Sequence, residues 1–442
     1  MNVVLLSGGS GKRLWPLSND IRSKQFIKIF RRPEGAPEMG MEDSEYESMV
    51  QRVYRQIKTV DPEADVVVAT SKSQVSALHN QLGPDVGISI EPCRRDTFPA
   101  IALSVAYLHD VRGIGEDEAV VICPVDPYVD ESYFRCVNEV FAEAQKGEKN
   151  LVLMGIEPTY PSAKYGYIIP TETGYDFTEK PDEETAKTYI ARKALWNGGV
   201  FGFRLKYVLE KAKELLGASD YQTLYDNYAN LTKISFDYAV VEKEKSIEVL
   251  RYKGTWKDLG TWNTLTEAME GNTIGDVRMN EKCEGVHVVN ELEIPILVMG
   301  LKDVVVAASP EGILVSDKEQ SAHIKPYVDD IDQQIMFAEK SWGRYRVLDV
   351  EDDSMTVKVT LSPGHRMNYH SHDNRDEVWN VISGTGRTVV DGMEQPIKPG
   401  DVVTMAAGCK HTVIADTELQ LIEIQIGRDI SAKDKRKYEF KE

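Results

Sequence analysis

Residues 3–26 read VVLLSGGSGKRLWPLSNDIRSKQF. An apolar run, the mark of a buried strand, passes straight into Gly8, Gly9 and Gly11 and then into Lys12, Arg13 and Lys24. A strand that ends in glycines and cations is built to hold an anion. Backbone N–H groups at a helix start point outward and the helix dipole favours negative charge, and glycine lets the backbone approach a phosphate closely. Two familiar phosphate loops do not fit. A Walker loop needs Gly-x4-Gly-Lys-Ser/Thr, but Leu6 occupies the first glycine position and Arg13 follows Lys12. A dinucleotide fingerprint needs a third glycine where Leu14 stands. A bare Gly-rich turn would by itself be a solvated loop, so the surrounding sequence has to decide.

Working outward, NVVLL (2–6), ADVVVAT (64–70), GISI (87–90), AVVICPVD (119–126) and LVLMGI (151–156) read as strands. Helical stretches separate them. Ser44 and Glu47 form a capping box that opens a helix through Ile57; a second helix covers 73–82. In EPCRRDTFPAIALSVAYLHDV (91–111), Ile101, Val105 and Leu108 share one helical face, and ESYFRCVNEVFAEAQ (131–145) is a further helix. Alternation of this kind up to about Gly275 predicts a mostly parallel sheet covered by helices. From Val277 short apolar runs, 286–289, 294–299, 304–308 and 313–315, predict a small β connector. Residues 325–335 (KPYVDDIDQQI) read as a linker, and the chain after Trp342 is all-β by pattern. The Pro/Gly/acid-rich segment 31–43 reads as a surface insertion, and SAKDKRKYEFKE (431–442) as a charged, solvated end. The expected organisation is therefore 1–275, a connector 276–330, a β domain 331–428 and a tail 429–442.

The net charge is 52 − 71 = −19 over 442 residues. Such a surface repels nucleic acid and anionic membrane, so an anionic ligand must be met by a local cationic pocket. No stretch approaches the roughly 18 apolar residues of a membrane span. Five scattered cysteines without C-x-x-C pairs, and an N-terminus without the features of a signal peptide, lead to the expectation of a cytoplasmic protein with reduced thiols. A homo-oligomer is compatible with the composition and not specified by it.

LSGGSGKRLWPLS followed by KQF (24–26) closely resembles the signature of sugar-1-phosphate nucleotidyltransferases, in particular mannose-1-phosphate guanylyltransferases. Further boxes follow in the family's order: EPCRRDTFPA (91–100), VICPVD (121–126), KYGYI (164–168), FTEKPD (177–182), LWNGGVFGF (195–203), SFDYAVVEK (235–243) and WKDLGTW (256–262). The resemblance covers about residues 1–330. It implies a Rossmann-like, GT-A-like mixed sheet and transfer of GMP from GTP to mannose 1-phosphate. It assigns the nucleotide to Gly8, Gly9, Ser10, Gly11, Lys12, Glu91, Arg95 and Thr97, and the transferring phosphates to Arg13 and Lys24. The mannose and its phosphate fall to Tyr165, Gly166, Glu179, Lys180 and Asn197, and Mg²⁺ to Asp126 and Asp258. Departures are Lys12 for Thr/Ser, Ser23 for Pro, Asp96 for Asn and Pro127 for His. The chemistry is coherent: two anions must meet, and hard carboxylate oxygens suit Mg²⁺.

A second constellation lies between His365 and His411. Gly364-x5-His370-x-His372-x4-Glu377-x6-Gly384 fits the first cupin motif at every spacing, and Gly400-x5-Ala406-x-Gly408-x2-His411 resembles the second. Residues two apart on a strand face one side. The expectation is a β-barrel with a His₃Glu site, His370, His372, Glu377 and His411, suited to Zn²⁺, Mn²⁺, Fe²⁺ or Ni²⁺. Metal loss is expected as pH falls through the ordinary histidine range near 6.5. The barrel resembles the phosphomannose isomerase domain that many bacterial guanylyltransferases carry and retains its Arg375, although the family's Gln-x-His-x-His becomes His370-x-His372-x-Asn374. Isomerisation needs a metal and a proton shuttle. The sequence supplies the first and does not identify the second. The rival to an enzyme is a non-catalytic sugar-nucleotide sensor, against which the retained Arg13, Lys24, Asp126 and Asp258 weigh.

Overall fold

The computed structural model describes the chain apart from residues 10–11, 20, 38, 41–43, 173, 332–334, 429, 432–433 and 441–442. Two compact units emerge: Met1–Gly11 with Ser23–Glu270, and Lys12–Arg22 with Gly271–Glu442. The boundary near residue 270 lies close to the one expected, but the opening motif is divided between the units.

The first unit is built on a nine-stranded mixed sheet. Its strands are β1 (Asn2–Leu6), β2 (Asp65–Ser71), β3 (Gly87–Glu91), β4 (Ala119–Pro124), β6 (Leu151–Ile156), β7 (Tyr167–Pro170), β8 (Tyr175–Thr178), β9 (Leu195–Arg204) and β10 (Ile247–Tyr252). A separate two-stranded antiparallel sheet pairs β5 (Pro127–Val129) with β11 (Trp256–Asp258). The central order β3-β2-β1-β4 is parallel, as the βα alternation predicts. Beyond β4 the long β9 runs antiparallel and carries β6 and β7 on its far edge. Val3, Val4 and Leu5 are fully buried because both faces of this sheet are covered. Helix α1 (Met49–Val60) and helix α2 (Thr97–Asp110) precede helix α3 (Glu131–Lys146). Ile101, Val105 and Leu108 of α2 lie in the main core with Phe201, Phe203 and Phe236.

The start of α1 differs from expectation. Tyr46–Glu47 is a short strand paired with Phe30–Arg31, and the capping box is Ser48/Gln51, one turn later than Ser44/Glu47. Glu47 is 1% exposed and accepts two hydrogen bonds from Arg55, at 3.0 and 2.7 Å. Its carboxylate is spent on a buried ion pair and cannot close a cap.

In the second unit, parallel strands β12 (His287–Asn290) and β13 (Val304–Ser309) and the antiparallel β14 (Gly312–Asp317) form the expected connector. Residues 12–22 pack on it: Arg22 pairs with both oxygens of Glu291 at 2.6 and 2.8 Å, and Ser309 donates to the Pro16 carbonyl. Lys325–Asp329, expected as linker, is a short helix with Pro326 in its first turn, where a missing N–H costs nothing. The β domain is two facing sheets. One runs β15 (Phe337–Lys340), β16 (Gly343–Val350), β17 (Ser354–Leu361), β24 (Leu419–Gly427), β19 (Arg375–Ser383), β22 (Val402–Met405). The other runs β21 (Met393–Ile397), β20 (Gly386–Val390), β23 (His411–Ala415), β18 (His370–His372), β25 (Lys435–Lys437). β25 corrects the reading of the end as a solvated tail: Lys435, Arg436 and Lys437 pair with His372, Ser371 and His370. Charge alone conceals this strand, because its side chains meet water and a polar cavity instead of an apolar core.

Candidate functional sites

Parallel strands end at one edge of a sheet, and loops leaving that edge converge. Leu6 of β1, Ser71 of β2, Glu91 of β3 and Pro124 just before Asp126 line a cavity of about 470 Å³ with Gly8 and Gly9. Gly9 has φ +103°, a conformation that glycine adopts freely, and a Cβ on Gly8 or Gly9 would meet nothing within 4 Å. The loop therefore offers bare backbone to the cavity. Ser23 Oγ donates to the Gly9 carbonyl at 2.7 Å and accepts from Gln74, which itself accepts from Thr70. The serine that replaces the family's proline thus ties the far end of the motif to the glycine turn.

Lys24 Nζ lies 2.9 Å from Asp126 Oδ2, with Asp126 45% exposed. In the β5–β11 pair Asp258 lies opposite Pro127, the residue after Asp126, so Asp126 and Asp258 adjoin along the backbone. Two hard oxygen donors, one already bearing a cation, suit Mg²⁺. Arg94, Arg95, Thr97 and Lys233 line the cavity's other side. The Arg95 guanidinium is engaged by the carbonyls of Tyr228 and Ala229, so it braces the wall more than it reaches into the cavity. Tyr228 donates to Glu91 at 2.8 Å; burial nevertheless raises the Glu91 pKa. Asp96 has φ +70° and accepts from the Thr97 N–H, capping α2. Ser10 and Gly11 lie outside the described residues. Lys12 and Arg13 form a short helical turn in the second unit, where Lys12 pairs with Asp329 at 3.0 Å.

The residues expected to seat the sugar gather around the bulge of β9 between Asn197 and Phe201. The Asn197 N–H donates to the Gly166 carbonyl at 2.8 Å, and its side-chain oxygen accepts from the Gly199 N–H. Its amide donates to Asp237 at 2.6 Å. A Cβ on Gly166 would meet Glu179 Oε2 and force that carboxylate to shift. Glu179 pairs with Lys180 at 2.6 Å. Tyr165 stands edge-on to Trp196 and Trp256, with centroids at 4.9 and 5.1 Å. Burial, with Glu179 adding to it and the Asn197 bond opposing it, pushes Asp237 up to about 6.

In the β domain, His370, His372, Glu377 and His411 present ligand atoms within 4.8 Å of one another, each residue 2–3% exposed. The Nδ1 atoms of His370, His372 and His411 lie against the carbonyls of Asn368, Asp434 and Cys409. Nδ1–H donation there leaves every Nε2 with a lone pair, as metal-binding imidazoles require. Glu377 Oε2 and His411 Nε2 lie 3.2 Å apart and neither has a hydrogen-bond partner. A cation would relieve both, so the set fits a divalent metal. Arg375 donates to Glu377 at 2.9 Å and lies 3.0 Å from His372 Nε2. Burial pulls His370 down to about 2 and His372 to about 4, holding both rings neutral. Beside the cluster a cavity of about 280 Å³ is lined by Lys340, Arg375, Glu423, Lys435 and Lys437.

Comparison with known proteins gives the family of each part of the chain. The protein-family model described as Nucleotidyl transferase matches residues 2–273. The chain belongs to the nucleotidyl transferase family. The Cupin domain model matches residues 357–425. Xanthan biosynthesis protein XanB of Xanthomonas campestris pv. campestris (strain B100) is 30% identical, over 99% of this chain and 97% of that one. Mannose-1-phosphate guanylyltransferase of Klebsiella pneumoniae is 29% identical, over 98% and 97%. A solved structure titled mannose-1-phosphate geranyltransferase, from Thermus thermophilus, superposes with a TM-score of 0.60 at 26% identity, over 75% of this chain and 99% of that one.

Sequence reasoning missed several residues in this nucleotidyl transferase. Asp237 sits inside a quoted motif, but nothing in its spacing shows that it holds Asn197. Glu423 faces its cavity from the alternation of β24, a signal the pattern carries. Lys435 is hidden in a segment that reads as tail. All five cysteines carry free thiols, and among the described residues no helix is long and apolar enough to cross a membrane.

Proposed function

We propose that the protein is a mannose-1-phosphate guanylyltransferase, which makes GDP-mannose and diphosphate from GTP and α-D-mannose 1-phosphate. What supports this is a cavity at the sheet edge lined by the glycine turn and Asp126, with Lys24 on Asp126 and Asp258 opposite the neighbouring Pro127, together with a relative of that name matched over nearly its full length. A phosphate oxygen of mannose 1-phosphate attacks the α-phosphorus of GTP; the new P–O bond forms as the bond to the β-phosphate oxygen breaks. The attacking phosphate is already ionised at neutral pH, so no general base is needed. The glycine turn gives backbone N–H groups to the phosphates. Lys24 and, by resemblance, Arg13 stabilise charge growing on the departing diphosphate. Mg²⁺, held by Asp126 and Asp258, would neutralise phosphate charge. Tyr165, Gly166, Glu179, Lys180 and Asn197 seat the sugar. The cytoplasm is the proposed compartment, a reading that the free thiols support. Measuring diphosphate release for all four nucleoside triphosphates against several sugar 1-phosphates tests the assignment. Failure of GTP with mannose 1-phosphate, or a better pair, would replace it, and no turnover with any pair would favour a sensor.

A second reading adds mannose-6-phosphate isomerase in the cupin, with Zn²⁺, Mn²⁺, Fe²⁺ or Ni²⁺ as the ion. It is favoured by Glu423 and Lys435, which line the cavity beside the histidines. Burial, reinforced by Glu377, raises the Glu423 pKa, and burial lowers that of Lys435. Such groups can exchange a proton near neutrality, as transfer between C1 and C2 requires. The metal would polarise the carbonyl. Interconversion of fructose 6-phosphate and mannose 6-phosphate, abolished by Arg375→Ala, would establish this reading; its absence in metal-loaded protein would remove it.

A further inference from the structure

The three histidines of the cupin cluster are oriented in two different ways. His370 and His411 each use a carbonyl two residues earlier in the chain, Asn368 and Cys409. They are set by the residues that lead into their own strands. His372 uses the carbonyl of Asp434, 62 residues away, at 3.0 Å. We propose that the C-terminal strand β25 and its preceding Asp434 are a positioning element for the metal centre, without which His372 is not held as a ligand. The inference rests on reading the cluster as a metal site.

Asp434 acts twice. Its carbonyl fixes the tautomer and plane of His372, and its carboxylate accepts the N–H groups of Asp373 and Asn374 at 3.1 and 3.0 Å. Those two residues make the turn that separates His372 from Arg375 and Glu377. The strand is anchored from outside the cluster. Arg436 pairs with Asp373 at 2.5 Å, Tyr438 O–H lies 3.0 Å from Ser371 Oγ, and the Tyr438 N–H donates to Tyr369. Lys410 stands 4.5 Å over the Tyr438 ring and Arg366 4.8 Å over Phe440. When β25 lifts, His372 Nδ1 loses its acceptor and the ring can turn or exchange tautomers. Lys435 leaves the cavity wall in the same movement. One element therefore both orients a ligand and completes the cavity.

The test uses full-length protein and two probe ions, Zn²⁺ and Co²⁺, with affinity read by competition against a chromogenic chelator at pH 7. Partners that orient a metal-binding imidazole are worth about 10–100-fold in affinity. The doubly altered Asp434→Ala/Arg436→Glu protein should lose that much, and its Co²⁺ absorption should change band shape as one imidazole is lost. Arg436→Glu alone should weaken binding, and adding Asp373→Arg, which rebuilds the ion pair with reversed signs, should restore affinity to within about twofold of wild type. Such a rescue cannot come from a cupin that has merely failed to fold. Wild-type affinity in the double variant overturns the proposal, as does a charge-reversed pair no tighter than Arg436→Glu alone. Wild-type protein that binds neither ion overturns the metal reading together with it.

Discussion

Around the cavity proposed for the nucleotide several polar groups already have partners: Lys24 on Asp126, Tyr228 on Glu91, Arg95 on two carbonyls. In the cupin centre the acid and an imidazole facing each other, Glu377 Oε2 and His411 Nε2, have none and are nearly inaccessible. The first site is partly exposed, with Asp126 45% accessible. In the proposed function its ligands bring their own charge and take over the Lys24–Asp126 pair. The second is closed, and an unpaired buried polar group costs about 1–3 kcal/mol, so it is incomplete without a cation. An open anion site can be built from loops at a sheet edge. A closed cation site has to be built from rigid strands, with each ring held by an outer partner.

The largest effect that would sharpen this contrast is loss of the Mg²⁺ carboxylates. Asp126→Asn and Asp258→Asn should each lower guanylyl transfer about a thousandfold, a loss of several kcal/mol, while cupin metal content stays at the wild-type level. Folded variants with near-normal turnover would remove the metal role of this pair. Arg13→Ala should slow transfer by about 3 kcal/mol, roughly a hundredfold, at saturating substrates; an unchanged rate would confine Arg13 to structure.

From the other side, His372→Ala should weaken cupin metal binding by at least about tenfold and leave guanylyl transfer intact, measured in one preparation by elemental analysis and diphosphate release. A parallel fall in transfer would break the separation of the two sites. The pH at which metal leaves is a finer test. Exposed histidines would release it near 6.5, as the sequence suggests, but burial holds His370 near 2 and His372 near 4. Protons compete poorly with metal for such rings, so bound metal should persist at pH 5. In metal-free protein the unfolded chain takes up protons below 6.5 that these folded rings refuse, so cupin stability should fall as pH drops from 6.5 towards 4. Release of metal at 6.5 would show rings more exposed than in this structure.

The smallest effect concerns Asp237, lifted to about 6 by burial. Its folded form keeps a proton that the unfolded chain releases near 3.8. The stability this proton contributes is complete below that pH and lost as pH rises to 6. Asp237→Asn keeps an acceptor for Asn197 without the buried charge. It should stabilise the protein by about 1–3 kcal/mol at pH 8 and not at all at pH 4, by thermal melting. An equal gain at both values would mean that charge is not the cause.

Much of this protein is legible in its sequence because its signals are local. Apolar strands alternating with helices specify the parallel centre of the sheet, whose β7–β9 side is antiparallel, and the glycines and cations after the first strand mark where the strand ends converge. The spacing of His370 and His372 places both on one face of a barrel strand, since side chains alternate with period two, and Glu377 joins them from the next strand, in the other sheet. The start of α1 reads one turn early because the sequence offers two capping boxes, and only the buried Arg55–Glu47 pair chooses between them. Ser23 differs visibly from the family's residue, but its tie to Gly9 and Gln74 requires all three to be brought together.

The sequence by itself determined the fold class and the glycine-and-cation signature after the first strand, and it supplied the expected division at 275/276 and the four cupin candidate ligands. Tertiary structure decided that Lys12–Arg22 packs with the connector, that Asp237 holds Asn197, and that Asp434–Lys437 lies as a strand against the cupin histidines. The physical reason is common to all three. Each depends on a polar or charged group finding a partner far along the chain, and neither hydrophobic periodicity nor motif spacing records where a hydrogen bond across 40 or 62 residues will close.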